Sequence, residues 1–325
     1  MQRSLATFGI TVAALWLAGS LGSILYAKQQ HIPTEVWMAV LPALLLEAAL
    51  YIAPGFPAVR ERAARLGRAL TAALAASAVA PYLIVSLALG SFRIEYLGAL
   101  LVLSLIVGLW YRLAPRGILP DLLFLGLMAG VYLSPIFKEI YINPAGKPAL
   151  DILGKMMWIR IGIAAVLLIR GVEGVEFGFV PRRNDWLVGG RYFLYLIPFV
   201  LPLALSTDFI HYKSVAFSGR TVLAALGTFL GMLWVVALAE EFFFRGLLQP
   251  WMQRITGSFA GGIAIASLTF GAAHLTQRGF PNWRFAAVAT VAGIFYGLAF
   301  ARAGSIRASM VTHALLNTTW RIFFT

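Results

Sequence analysis

Apolar stretches long enough to cross a lipid bilayer recur along the whole chain, and they constrain its fold more than any other feature. A helix needs about 17–25 apolar residues to cross a hydrocarbon core of about 30 Å. Candidate spans lie at residues 5–27, 35–53, 69–92, 96–111, 118–136, 156–170, 191–207, 221–252, 258–275, 285–301 and 306–324. Because several are marginal, we expect an all-α polytopic transmembrane bundle of about 8–11 spans.

The composition supports a membrane protein and excludes some kinds of catalytic and metal-binding site. Only 12% of the residues are charged, about half the share that is usual in soluble domains. The net charge is +13, but the basic residues stand mostly at the ends of apolar segments, as the positive-inside rule predicts. We therefore expect the lipid bilayer as a partner and no nucleic acid. The absence of cysteine excludes disulfides, thiolate nucleophiles and cysteine metal sites.

Charge also predicts orientation and a division of the chain. The linker 58–68 carries four arginines and is expected to be cytoplasmic. Alternating the spans from this linker places the N-terminus in the cytoplasm as well. The Ala/Leu/Arg/Gly-rich composition favours a bacterial protein of the inner (plasma) membrane. The polar segment 171–190 is a plausible boundary between an N-terminal transmembrane region of unknown role, 1–170, and a helical core, 171–325.

Acidic residues are rare in the second half. After Asp208 the only carboxylates are Glu240 and Glu241, inside an apolar stretch. Ionisable groups at membrane depth are costly and usually face a cavity where they act. Glu241 and Arg245 stand at i,i+4, with the acid first, so they can pair on one helical face. Glu240 points about 100° away and has no local partner.

Two histidines lie in predicted spans of the same half, His274 and His313. At 1.5 Å per residue, Glu240 and His274 lie about 20 and 24 Å from the turn that joins their helices. The two are therefore expected at similar depth. His313 is expected only about 10 Å from its own turn, which fits less well.

Three motifs follow one another on successive apolar helices: Glu240-Glu241-x-x-x-Arg245, Phe270-x-x-x-His274 and His313-x-x-x-Asn317. In this order they resemble the CPBP family, which includes the CAAX prenyl endopeptidases and bacteriocin-processing (ABI) proteins. The resemblance covers roughly residues 175–325.

The resemblance implies an intramembrane endopeptidase of the glutamic type that acts on a membrane-associated or prenyl/CAAX-like peptide. Glu240 and His274 would activate a water, and His313 and Asn317 would stabilise the oxyanion. Arg245, with Glu241, would organise the helix and could grip a substrate carboxylate. No cofactor is expected.

Other interpretations use the same residues. Glu240, His274 and His313 would also suit a zinc site of two histidines and one glutamate with an open position. The pair of Glu241 and Arg245 can equally be structural. A transporter would use intramembrane charges to carry protons, although the paired broken helices typical of transporters are not evident. A non-enzymatic membrane scaffold is a third class.

We assign no chemistry to Glu47 and Asp121 in the first half of the chain. Glu47 and Asp121 stand alone in apolar surroundings in the sequence. Arg160 interrupts a span and is expected to reach the membrane surface or to pair with a neighbouring helix.

Overall fold

The computed structural model describes residues 2–172, 174–175 and 177–325. Among these, helix is the dominant structure and there is no β-strand, only one isolated antiparallel bridge between Tyr212 and Phe324. The all-α prediction is confirmed. Two compact units divide the chain, residues 1–172 and 173–325. Glu173 and Glu176, in the polar segment where a boundary was predicted, lie outside the described residues.

The first unit consists of helices joined by short connections. They are α1 (Gln2–Gln29), α2 (Thr34–Ile52), α3 (Pro57–Ala64), α4 (Ala69–Ala88), α5 (Ile94–Leu113), α6 (Ile118–Leu133), α7 (Ile136–Ile140) and α8 (Asp151–Ala164), which a π-helical segment continues to Arg170. The helix α8 lies in the centre of this unit, with most of its side chains buried.

Buried ion pairs join the helices of the first unit. Arg160 on α8 donates to both carboxylate oxygens of Glu47 on α2, at 2.7 and 3.1 Å, and also to Ser77 on α4. Arg170 binds Asp121 on α6 in the same two-pronged way, at 2.8 and 2.9 Å. Arg160 thus pairs with a neighbouring helix as predicted. The interpretation of Glu47 and Asp121 as isolated acids was wrong, because their partners are distant in sequence.

The second unit contains the motifs. Its helices are α9 (Arg183–Ser206), α10 (Gly219–Gly231), α11 (Leu238–Glu241), α12 (Gln249–Thr256), α13 (Phe259–Ala273), α14 (Trp283–Ala303) and α15 (Ile306–Phe323). The π-helical segments Met232–Ala237 and Phe242–Leu248 join α10, α11 and α12 into one helical stretch of 38 residues.

Within the described part of the chain, eight helical stretches are long and apolar enough to cross a membrane. Two shorter apolar helices, Ile118–Leu133 and Phe259–Ala273, accompany them. Every span predicted from hydropathy coincides with a helix, and the count of eight lies at the lower end of the predicted range.

Two tight turns give the second unit its antiparallel arrangement. Gly257 and Gly304 adopt left-handed φ angles of 63° and 65°, which end α12 and α14. The next residues, Ser258 and Ser305, accept hydrogen bonds from the first turns of α13 and α15. This Gly–Ser pair reverses the chain within two residues and stacks neighbouring helices side by side.

Candidate active site

The two motif glutamates lie in an irregular part of the long helical stretch. The short helix α11 ends in Glu240 and Glu241 and is flanked on both sides by π-helical turns. Such turns are rare, and they are frequent at functional sites because they redirect side chains within a helix. Glu241 is fully buried, whereas 23% of the side chain of Glu240 is exposed.

Glu241 is buried, and one of its carboxylate oxygens is hydrogen-bonded. Its Oε1 accepts a hydrogen bond from Nη1 of Arg245 at 3.2 Å, the i,i+4 pair that the spacing predicts. Arg245 is also fully buried, and its Nη2 donates to the backbone oxygen of Gly293 on α14 at 3.1 Å. Since Arg245 has no exposed surface, its geometry supports the organising role and gives a substrate carboxylate no access.

Glycine on α14 makes this close contact possible. One turn after Arg245, Gln249 donates to the backbone oxygen of Gly297 at 3.3 Å. A β-carbon at Gly293 would stand 3.0 Å from Nη2 of Arg245, and one at Gly297 would stand 2.7 Å from Oε1 of Gln249. Small residues at this i,i+4 spacing let membrane helices approach each other.

His313 on α15 lies against both glutamates. Its Nδ1 is 2.8 Å from Oε1 of Glu241, and its Nε2 is 3.7 Å from Oε2 of Glu240. The first distance is a hydrogen bond and the second is too long to be one. Because an ionised carboxylate only accepts, the proton of this bond is on Nδ1. In the neutral ring Nε2 therefore presents its lone pair towards Glu240.

Aromatic rings hold the His313 imidazole. Tyr296 on α14 stacks on it with centroids 4.6 Å apart and an interplanar angle of 14°. Phe270 on α13 meets it edge-on at 5.8 Å and 88°. The guanidinium of Arg245 lies over both rings, 4.4 Å from the Phe270 centroid and 5.1 Å from that of Tyr296. One cation thus braces the two rings that orient His313.

His274 occupies a separate position at the end of α13. It is buried, and its Nδ1 lies 2.8 Å from the backbone oxygen of Phe270. A carbonyl oxygen only accepts, so Nδ1 carries the proton and Nε2 of the neutral ring is an acceptor. The Phe270 ring, 4.7 Å from His274, also contacts His313. Among the described residues no hydrogen bond or ion pair joins His274 to Glu240.

Asn317 follows His313 by one turn but is not hydrogen-bonded to the glutamates. It is half-buried, and its Nδ2 lies 3.8 Å from the sulfur of Met232 at the start of a π-helical segment. This contact is weak, so the amide is free to turn to a stronger acceptor. Asn317 and Glu240 are the more exposed residues of the candidate site, whereas Glu241 and Arg245 are fully buried.

The position of α15 is set by contacts that its motif does not reveal. Nε of Arg307, in its first turn, lies 3.1 Å from Oδ2 of Asp185 on α9. One and a half turns further, Thr312 donates to the backbone oxygen of Gly189 at 3.0 Å. These buried contacts fix α15 against α9 just before His313.

Sequence reasoning did not identify Tyr296 or Gln249. A weak signal was present, since Gly293-x-x-x-Gly297 on the same helix is a spacing at which other helices pack closely. In the residues that the structure describes, no three His, Asp or Glu side chains are grouped as metal ligands.

Residues 222–319 match the family described as type II CAAX prenyl endopeptidase Rce1-like. This segment resembles an Rce1-like domain. The match includes all six predicted site residues and confirms the resemblance to the CPBP family drawn from the motifs. No curated protein and no solved structure matches the chain. The eight apolar helical stretches of the described residues support an integral membrane protein, and residues 222–319 are similar to a protease family.

Proposed function

We propose that this protein is an intramembrane endopeptidase in which Glu240 is the general base. The observation that carries the proposal is the unequal environment of two adjacent glutamates. Glu241 is fully buried and bound through Oε1 to Arg245 and His313, whereas 23% of the Glu240 side chain is exposed. Oε2 of each glutamate is buried without a hydrogen-bond partner among the described residues, so the two differ in exposure and in the contacts of Oε1. Only Glu240 is therefore available to take a proton from water.

The proposed reaction is hydrolysis of one peptide bond. The water oxygen attacks the carbonyl carbon while Glu240 accepts the water proton. The resulting glutamic acid then gives a proton to the leaving amine, and the C–N bond breaks. His274 would help to hold the water, since Nε2 of its neutral ring accepts a hydrogen bond.

His313 and Asn317 are the proposed oxyanion stabilisers. Asn317 can donate through Nδ2, which has only a weak contact to the Met232 sulfur. His313 can donate from Nε2 only when both ring nitrogens carry protons, because Nδ1 is committed to Glu241. A donor aimed at a developing oxyanion in a site that excludes bulk water contributes about 3–4 kcal/mol to catalysis.

The proposed substrate is a membrane-associated peptide or protein. The family name suggests a prenylated, CAAX-like C-terminus, and a substrate held in the bilayer by a lipid would reach an intramembrane site laterally. We further propose a cytoplasmic N-terminus, because the linker with four arginines, 58–68, follows the positive-inside rule. The Ala/Leu/Arg/Gly-rich composition favours a bacterial inner-membrane location. Labelling of single cysteines introduced into this cysteine-free chain would test the orientation.

The first experiment compares the purified protein with Glu240→Gln on a quenched library of membrane peptides, half of them prenylated, with and without a strong zinc chelator. Cleavage that the substitution abolishes and the chelator leaves intact supports the proposed mechanism. Cleavage that is lost with the chelator and restored by zinc would instead assign Glu240, His274 and His313 to a metal site. Full activity of Glu240→Gln would refute the role of Glu240 altogether.

A further inference from the structure

Five basic side chains lie at one end of the second unit. This is the end where α9, α13 and α15 finish and where α10 and α14 begin. We call these residues the basic rim: Lys213, Arg220, Arg278, Arg284 and Arg321. All are exposed except Lys213, which is half-buried. The acid at this end is Asp208, so the rim carries a clear excess of positive charge.

Contacts between the connections hold the rim together. Lys213 donates from Nζ to the backbone oxygen of Arg321 at 2.8 Å. Arg278 lies over the ring of Trp320 at 5.4 Å. Arg284 donates to the backbone oxygen of Asp208 at 3.4 Å. These partners are neutral groups, and no carboxylate of the described residues lies within ion-pair distance of the five cations.

Exposed aromatic side chains occupy the same end. Tyr212, Phe217, Phe280 and Trp283 are 69%, 89%, 75% and 67% exposed. Aromatic residues next to basic ones are typical of the level where lipid headgroups meet the hydrocarbon core. An acidic soluble peptide would match the charges but would leave these rings in water. The combination favours a bilayer surface.

We propose that the basic rim binds the headgroups of anionic phospholipids. Each lysine or arginine near an anionic membrane surface contributes a factor of about five in binding. The rim also borders the candidate site, because His274 ends α13 four residues before Arg278 and its ring contacts Phe285, which follows Arg284, at 4.5 Å. Bound headgroups would therefore lie close to His274. The proposal does not depend on the reaction that the site performs.

Energy transfer to labelled lipids tests this directly, without an activity assay. Thr276→Cys places a donor dye in the exposed rim loop of a chain that has no cysteine. Ala301→Cys places the same dye on exposed surface at the opposite end of α14. The vesicles consist of phosphatidylcholine with a trace of labelled lipid. The labelled lipid is either phosphatidylglycerol or phosphatidylcholine, and in both cases it carries the same acceptor dye on an acyl chain.

We expect more transfer from Thr276→Cys to phosphatidylglycerol than to phosphatidylcholine, and loss of this excess at high salt. Arg278→Gln with Arg284→Gln should lower the enrichment several-fold, whereas Arg254→Gln with Arg302→Gln, at the opposite end, should leave it unchanged. Equal transfer to both lipids would overturn the proposal. So would an excess that survives high salt, or one that the control pair removes equally. The salt arm needs no rim substitution, so misfolding of a variant does not leave the proposal untested.

Discussion

Nδ1 of His313 and Oε1 of Glu241 lie 2.8 Å apart although 72 residues separate them in sequence. The same oxygen accepts a hydrogen bond from Arg245 at 3.2 Å. One carboxylate oxygen thus joins α11 to α15 and to its own helix. Because Glu241 makes this contact, we predict a structural role for Glu241 and a catalytic role for Glu240.

The first prediction contrasts Glu241→Gln with Glu240→Gln. Glu241→Gln leaves the buried Arg245 without its counter-charge, and breaking a buried pair in this way costs about 3–5 kcal/mol. Glu240 makes no hydrogen bond through Oε2 and is partly exposed, so Glu240→Gln should unfold close to the unmodified protein but lack activity. Thermal unfolding in detergent measures both. Equal destabilisation by the two substitutions would contradict the division of roles.

The second prediction concerns the ring that stacks on His313. Tyr296→Phe keeps the stacked ring, whereas Tyr296→Leu removes it. An aromatic pair contributes about 0.5–1.5 kcal/mol beyond its buried area, so Leu should lower kcat roughly 2–10-fold more than Phe. Peptide cleavage and the unfolding midpoint of both variants check this. Equal activity of Phe and Leu would show that the stacking does not orient His313.

The third prediction uses a pair of glycines. At Gly293 a new β-carbon would stand 3.0 Å from Arg245 and 3.2 Å from the β-carbon of Ser267, so α14 must move away. Overpacking of this kind costs about 1–3 kcal/mol. At Gly227 on α10 nothing lies within 4 Å of the added carbon, and Gly227→Ala should be neutral or stabilising. A lower unfolding midpoint for Gly227→Ala than for Gly293→Ala would contradict the close packing at Gly293.

Much of this architecture could be predicted from the sequence, because the signals are local. Hydropathy alone located the spans, and i,i+4 spacing alone predicted the pair of Glu241 and Arg245. The tilt of a helix and the depth at which it begins depend on contacts with other helices, which local sequence signals do not predict. His313 is only about 10 Å from its turn by helical rise, which fits the depth of the glutamates less well, yet its ring lies against Glu241. The turn is not at a surface, since Ile306 is fully buried and Arg307 is held by Asp185.

The sequence also does not predict which residues on different helices contact each other. The sequence predicts similar depth for Glu240 and His274, but depth does not define which helix faces which. The structure gives Glu240 a different neighbour, His313, and sets the Phe270 ring against both imidazoles. The outcome depends on close approach of α14 at Gly293, which a single sequence indicates only by the spacing of two glycines.

The last prediction addresses the buried pair of Glu47 and Arg160 in the first unit. Both carboxylate oxygens and three guanidinium nitrogens are hydrogen-bonded, which leaves little for a ligand to bind and favours a structural role. Glu47→Leu or Arg160→Met alone should destabilise by about 3–5 kcal/mol, because each leaves a buried charge unpaired. The double variant Glu47→Leu with Arg160→Met should recover much of this loss. A double-mutant cycle of unfolding free energies measures the coupling. Cleavage per folded molecule should stay unchanged in all three variants, whereas its loss in the stable double variant would show that this pair takes part in function.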